Sequence, residues 1–302
     1  MTLTELRYIV ALSHEQHFGR AAERCHVSQP TLSVGVKKLE DELGVILFER
    51  SKTSVLLTDV GKRVVAKAQK VLEQAQGLRE LAQVGKDQLT APLSLGAIHT
   101  VGPYLFPQLV QALHQSAPQM PLYIEENFTE VLRNKLVSGE LDVIIIALPF
   151  DEPDVLCLPL YDEIFQVLLP AEHPLAQRSS IEMHELEESG LLLLGEGHCF
   201  RDQVLAACPT LRGDNRPSIE AGSLETIRHM IASGLGISVL PQSAVESHHY
   251  APGVFAVRPL APPVPKRRIA LAFRASFPRI RATEQLAAAI RSCEVAQAGL
   301  IA

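Results

Sequence analysis

Apolar residues recur at Leu6, Ile9, Val10 and Leu12, a spacing that lays one face of a helix on a core, and Thr4 is placed to cap it. A second helix is expected from Phe18, where Gly19, Ala21 and Ala22 let a neighbour approach closely before His26 and Val27 turn the chain. Ser28 then caps a third helix, and Pro30 is tolerated in its first turn because no intrahelical N–H bond is needed there. Leu32, Val36, Leu39 and Leu43 line its inner face and leave Gln29, Thr31, Ser33, Lys37 and Lys38 facing outward. Residues 44–50 and 54–58 read as two short strands around Ser51-Lys52-Thr53, a basic hairpin.

Residues 58–87 read as one long helix with a narrow seam of Val60, Val64, Ala68, Val71, Ala75, Leu78 and Ala82, suited to pairing with a second copy of itself. Leu89 to Pro92 end it. From Pro92 onward strands and helices alternate, which predicts an α/β fold with largely parallel sheets. Strands are expected over 93–98, 122–126, 141–148, 191–194, 218–221, 237–240 and 267–273, with a last helix over 282–294.

Charge divides the chain in the same place. Residues 1–70 hold eleven Lys/Arg against eight Asp/Glu, and the remainder holds seventeen against twenty-six. Only the N-terminal part suits a polyanion, although so modest an excess is also what a solvated surface carries. No apolar run approaches the eighteen or so residues of a membrane span, and the N-terminus lacks the layout of a secretion signal, so the cytoplasm is the expected location. The five cysteines are scattered, with no CxxC and no zinc-like Cys/His spacing, so neither a metal nor a cofactor is expected.

A helix, a tight turn and a second helix whose first turns are polar and compact is what a major-groove reader needs. Gln29, Thr31 and Ser33 would reach base edges or phosphates and Lys37 the backbone, while an ordinary helical hairpin would carry the same pattern. The run from Ala21 to Lys62 resembles, over some forty contiguous residues, the winged helix-turn-helix of LysR-type transcriptional regulators. That resemblance implies operator DNA as partner, read by a homodimer or homotetramer. Ser28, Gln29, Pro30, Thr31, Ser33 and Lys37 would lie on the reading helix and Arg50 on the wing, and RNA polymerase would be a further partner.

Residues 139–146 and 234–241 resemble the signature strands of LysR-type effector domains, whose two subdomains enclose a ligand cleft as in periplasmic binding proteins. The implied organisation is a multidomain α/β chain. It has a winged helix-turn-helix over 1–58, a linker or dimerisation helix over 59–90 and an effector domain over 91–302. Subdomain I would take about 91–163 and 267–302, and subdomain II about 164–266.

Residues 195–209 set Cys199 and Cys208 nine positions apart in different surroundings. Cys199 follows a Gly-rich turn and His198, with Arg201 near, at the start of an expected helix over 200–208. A helix N-terminus with cationic neighbours favours the reactive thiolate, although Asp202 opposes it. Cys208 shares an apolar face with Val204 and Leu205. If the segment is helical, the two Cα atoms stand roughly 13 Å apart, whereas a disulfide needs about 7 Å or less. The pair is therefore a candidate redox switch, and equally two unrelated core residues.

Residues 191–208, with 121–129 and 223–241, are similar to a peroxide-sensing branch of the LysR type. The resemblance implies that hydrogen peroxide is the signal, that Cys199 is oxidised by it, and that Cys208 resolves the product to a disulfide. It also implies a pocket lined by Thr100, Thr129 and His198, with an arginine assisting the thiolate, Arg267 rather than Arg268. Arg216-Pro217-Ser218 stand where some relatives carry a histidine, so the resemblance assigns no histidine role at that position. Cys25, Cys157 and Cys293 match no sensor position and are expected to be structural thiols. The leading reading is a transcriptional activator and not an enzyme. The alternatives are a regulator answering a small organic effector in the cleft, and a thiol peroxidase.

Overall fold

The computed structural model describes residues 1–50, 55–83, 88–186, 189–207, 219–245, 251 and 253–299. Within them the chain divides into two compact units, one of residues 1–85 and 137–140 and one of residues 86–136 and 141–302.

The first unit opens with α1 (Leu3–Glu15). Its cap is Thr2, not Thr4 as the pattern predicts. The Thr2 hydroxyl accepts the Glu5 amide at 3.2 Å while the Glu5 carboxylate accepts the Thr2 amide at 2.7 Å, a reciprocal box that only a residue three before Glu5 can close. α2 (Phe18–Arg24) is capped by the His17 ring, and α3 (Gln29–Leu43) by Ser28, whose hydroxyl accepts the Thr31 amide at 3.3 Å. Gly35 lets α3 lie directly on α1, because a Cβ there would meet the Tyr8 ring at 2.6 Å.

β1 (Phe48–Arg50) and β2 (Val55–Leu57) pair antiparallel, Phe48 opposite Leu57. They are shorter than the apolar runs that predict them because Thr58 already belongs to the next element. Its hydroxyl donates to the Ile46 carbonyl at 2.9 Å and accepts the Gly61 amide at 2.9 Å, starting α4 (Asp59–Gln83). The single seam expected along this helix is two faces. Val65 and Ala68 are buried in the core of this unit with Leu6, Ile9, Leu12, Leu32 and Val36, whereas Val60, Val71 and Leu78 are exposed.

The second unit contains, in chain order, β3 (Leu93–Ile98), α5 (Gly102–Ser116), β4 (Leu122–Asn127), α6 (Thr129–Ser138), β5 (Val143–Leu148) and β6 (Val155–Pro170). There follow β7 (Leu192–Leu194), α7 (Cys199–Ala207), β8 (Ile219–Ala221), α8 (Leu224–Ala232), β9 (Ser238–Pro241) and α9 (Gln242–Val245). β10 (Phe255–Pro259), β11 (Lys266–Arg274), α10 (Ile280–Ser292) and α11 (Glu294–Gln297) complete it. Among the described residues no helix is long and apolar enough to cross a membrane.

The expectation of largely parallel sheets is corrected. The strand order is β10-β6-β11-β5-β3-β4, with β9 also on β6, and among the strands of the described residues only β3 with β4, β3 with β5, and β7 with β8 are parallel. β11 runs antiparallel to both β5 and β6, as β6 does to β9 and β10. The cause is β6, a single strand of 16 residues reached without a helical crossover, which parallel pairing would require. Residues 155–164 of β6 pair with β11, and residues 165–170 pair with β9 and β10.

Each end of β6 serves a different core. One cluster gathers β3, β5, β11, α5 and α10, and in it Val143, Ile144, Ile145 and Ile146 are fully buried because both faces of β5 are covered. The other gathers Phe165, Leu192, Leu194, Phe200, Val204, Ile227 and Leu240. The effector half is thus two cores joined through β6 and β11, and the residues described next lie where they meet.

Candidate functional site

Two glycine-dependent approaches shape this junction. Gly195 to Gly197 carry the chain from β7 to α7, and Gly197 adopts φ +90°, a left-handed conformation that suits glycine. A Cβ on Gly197 would meet the Phe128 ring at 3.3 Å, and one on Gly102 would meet the Glu126 side chain at 2.6 Å. The turn before α7 is therefore seated on the turn before α6, and the start of α5 lies on the end of β4.

The half-buried Cys199, first residue of α7, carries a free thiol. Its side chain packs on the first core, while its neighbour Phe200 is buried in the second. His198 is buried, its ring 4.7 Å from that of Phe128 and 5.8 Å from that of His99, and His99 stands 5.2 Å from Phe128. Burial, then the field of His99, pulls His198 below its ordinary value, and a hydrogen bond to the Gly222 backbone opposes them. His99 Nδ1 lies 3.8 Å from a Glu126 carboxylate oxygen. Burial raises Glu126 above the usual carboxylate range, against the opposing pull of His99.

Thr129, first residue of α6, has a buried hydroxyl with no hydrogen-bond partner among the described residues. Thr100, in the turn after β3, is buried and holds Arg267. Its hydroxyl accepts from Arg267 Nη1 at 2.7 Å and its carbonyl from Nη2 at 2.9 Å. Arg267 also donates through Nε to Glu163 at 2.8 Å and lies 5.0 Å over the Phe200 ring. The other Glu163 oxygen accepts the Ser243 amide at 3.0 Å.

Thr100, Arg267, His198, Thr129 and Cys199 therefore all come from this one unit, and the last three belong to the two turns that meet at the Phe128 ring. Arg268 does not join them: it is exposed and pairs with Asp162, which Arg268 and Lys266 hold down to about 2. Arg201 is not free to act on the thiol either. Its Nη1 donates to the Leu194 carbonyl at 2.8 Å and to Glu220 at 2.5 Å, which ties α7 to β7 and β8. Cys208 and the Arg216-Pro217-Ser218 departure lie outside the described residues. Glu163, Phe128 and His99 are the neighbours that sequence reasoning did not pick out. Only the charged Glu163 inside an apolar run signalled itself.

In the first unit, Gln29, Pro30, Thr31 and Lys37 of α3 are exposed, Ser33 is half-buried, and Ser28 is spent on its cap. Lys38 is drawn back to Glu5 at 2.9 Å. Val34, three residues from Thr31 and from Lys37, is 67% exposed on the outer side of α3. The side chain of Arg50, like residues 51–54 of the wing, lies outside the described residues.

Comparison with known proteins follows the same division. The family described as "Bacterial regulatory helix-turn-helix protein, lysR family" matches residues 3–62, and "LysR substrate binding domain" matches residues 86–293. The chain is 42% identical over 292 residues to the Escherichia coli K12 "DNA-binding transcriptional dual regulator OxyR", covering 97% of this chain and 95% of that protein. A structure of a full-length OxyR variant from Pseudomonas aeruginosa is 68% identical, with a TM-score of 0.80, over 100% of this chain and 98% of that one. A Corynebacterium glutamicum OxyR mutant with hydrogen peroxide bound is 34% identical, with a TM-score of 0.64, over 96% and 91% of the two chains.

Proposed function

Because this chain belongs to the LysR family of bacterial transcriptional regulators, within its OxyR-like group, we propose that it senses hydrogen peroxide through Cys199 and converts the oxidation into altered contacts with operator DNA. The observation that carries this reading is that a half-buried free thiol starts α7 and a buried hydroxyl, Thr129, without a partner among the described residues starts α6, on two turns that Gly197 and His198 seat against the Phe128 ring. A buried hydroxyl without a partner is costly unless a ligand completes it, and a peroxide both accepts and donates hydrogen bonds. Thr100, His198 and Arg267 supply the remaining polar wall.

The chemistry balances without a cofactor. The Cys199 thiolate attacks one peroxide oxygen; an S–O bond forms, the O–O bond breaks, and the other oxygen leaves as hydroxide. Sulfur loses two electrons and the peroxide gains them. The Cys208 thiol then displaces water from the sulfenic acid to give a disulfide. Cys208 directly follows α7, whose 9 residues rise about 1.5 Å each, so the bridge requires α7 to unwind.

On the DNA side, Gln29, Thr31 and Ser33 read base edges, Pro30 and Ser28 shape the entry turn, and Lys37 and Arg50 take phosphates. The exposed Val60, Val71 and Leu78 of α4 are the surface on which two copies pair, as a homodimer or within a homotetramer. The protein works in the cytoplasm with RNA polymerase as its activation partner. The test is Cys199→Ser on operator DNA, with thiols mapped by mass spectrometry before and after stoichiometric peroxide. A variant that still answers peroxide fully, or an oxidised wild type without a Cys199–Cys208 bridge, overturns the reading.

A further inference from the structure

Reduction of a peroxide by a thiolate needs a hydrogen-bond donor at the oxygen that departs as hydroxide. Thr100 has one hydroxyl hydrogen, and its oxygen already accepts from Arg267 Nη1 at 2.7 Å. A guanidinium only donates. At this contact the Thr100 oxygen must therefore be the acceptor, which leaves its own hydrogen to point away from Arg267. The direction of that hydrogen is only as well fixed as the arginine is.

Arg267 is held by a carboxylate. Its side chain is 0% exposed and that of Glu163 is 3%, with Nη2 and Nε at 2.7 Å and 2.8 Å from the same Glu163 oxygen. The second Glu163 oxygen is itself pinned by the Ser243 amide at 3.0 Å. β6, β11, the β3–α5 turn and α9 are thereby joined through one carboxylate. We propose that Glu163 is a positioning residue for the oxidation of Cys199: it fixes Arg267 in the orientation that turns the Thr100 hydroxyl hydrogen toward the departing peroxide oxygen.

This inference rests on the peroxide reading above. Glu163 acts through Arg267 and Thr100 and has no contact with sulfur in the scheme. It differs from a general support of the fold because only a reaction with an oxygen leaving group depends on the Thr100 donor. Alkylation of the same thiol by iodoacetamide expels iodide and does not.

The experiment uses the full-length reduced protein and measures two rate constants at Cys199 under one buffer, for hydrogen peroxide and for iodoacetamide. Glu163→Gln keeps the shape but removes the charge. The expected result is a fall of about tenfold or more in the peroxide rate, smaller than the roughly 100- to 1,000-fold of deleting a preorganised donor outright because Thr100 itself remains, with alkylation changed less than about twofold. Thr100→Val should lower the same ratio, and adding Glu163→Gln to it should lower it little further, because the two act in series. Glu163→Asp, which retains the charge one methylene back, should recover part of the ratio. It carries the same test if Glu163→Gln fails to fold by circular dichroism. Equal falls in both rates, an unchanged ratio, or fully additive losses overturn the positioning role. A wild-type Cys199 that peroxide does not oxidise would instead overturn the peroxide reading itself.

Discussion

Arg267 and Thr100 are 167 residues apart in sequence and meet at 2.7 Å, with the guanidinium buried and its charge answered by Glu163. Removing one member of a buried ion pair strands the other. Arg267→Met should therefore lose about 3–5 kcal/mol of stability, read as a fall in the urea midpoint, and should slow Cys199 oxidation. Arg268→Met, at an exposed pair with Asp162, should change the midpoint little. Equal effects from the two substitutions would contradict the placement.

Gly197→Ala tests the turn that presents Cys199. Its φ of +90° and the Phe128 ring 3.3 Å from a Cβ both resist a side chain. A cost of about 1–3 kcal/mol is expected, with slower Cys199 alkylation as the helix start is displaced. Gly253→Ala, also at positive φ but with open space around it, should leave the alkylation rate near wild type.

His198 predicts a pH dependence of stability. Its value in the folded chain lies below the ordinary 6.5 because it is buried and faces His99. Below pH 6.5 the unfolded chain therefore binds a proton that the folded chain resists. The contribution of His198 is fully present above 6.5 and is lost as pH falls toward the folded value. Glu126, raised by burial above its ordinary 4.5, works in the opposite sense, its contribution being lost as pH rises from 4.5 through the folded value. Urea unfolding from pH 7.5 to 5 should fall less steeply for His198→Gln than for wild type; parallel curves would refute the assignment.

Lys37 is exposed on α3, where the proposed phosphate contact would release counterions. Lys37→Ala should weaken binding to specific and non-specific duplexes alike and reduce the slope of log affinity against log salt by about 0.9. Thr31→Val should act differently, costing about 1–3 kcal/mol on the cognate operator and little elsewhere. Fluorescence anisotropy over a salt series separates the two. An unchanged slope for Lys37→Ala would remove it from the interface.

Much of this architecture is legible from periodicity and turn chemistry. Ser28 and Ser223 announce α3 and α8 because a hydroxyl before an apolar repeat has one local job, and both cap their helices. β6 was hidden: Pro159, Asp162 and Glu163 interrupt its apolar pattern, and their partners in β11 and α9 lie far along the chain. The same distance explains why Arg267 could be chosen over Arg268 by resemblance but not by pattern. Alternation on β11 puts one inward and one outward, and only the sheet tells which. The α4 seam reads as one stripe because sequence does not show that Val65 and Ala68 are already taken by α1.

The short length of α7 has an energetic consequence. At 9 residues it is below the roughly 12–15 that hold a helix in water unaided, so its persistence depends on its two buried side chains, Phe200 and Val204. Exposing both costs on the order of 3–6 kcal/mol, which the oxidation of the two thiols has to supply. Phe200 and Val204 therefore act as the set point of the proposed sensor. A smaller residue at either would make the oxidised form easier to reach and harder to reset, moving the alarm threshold without touching the thiol that detects the signal.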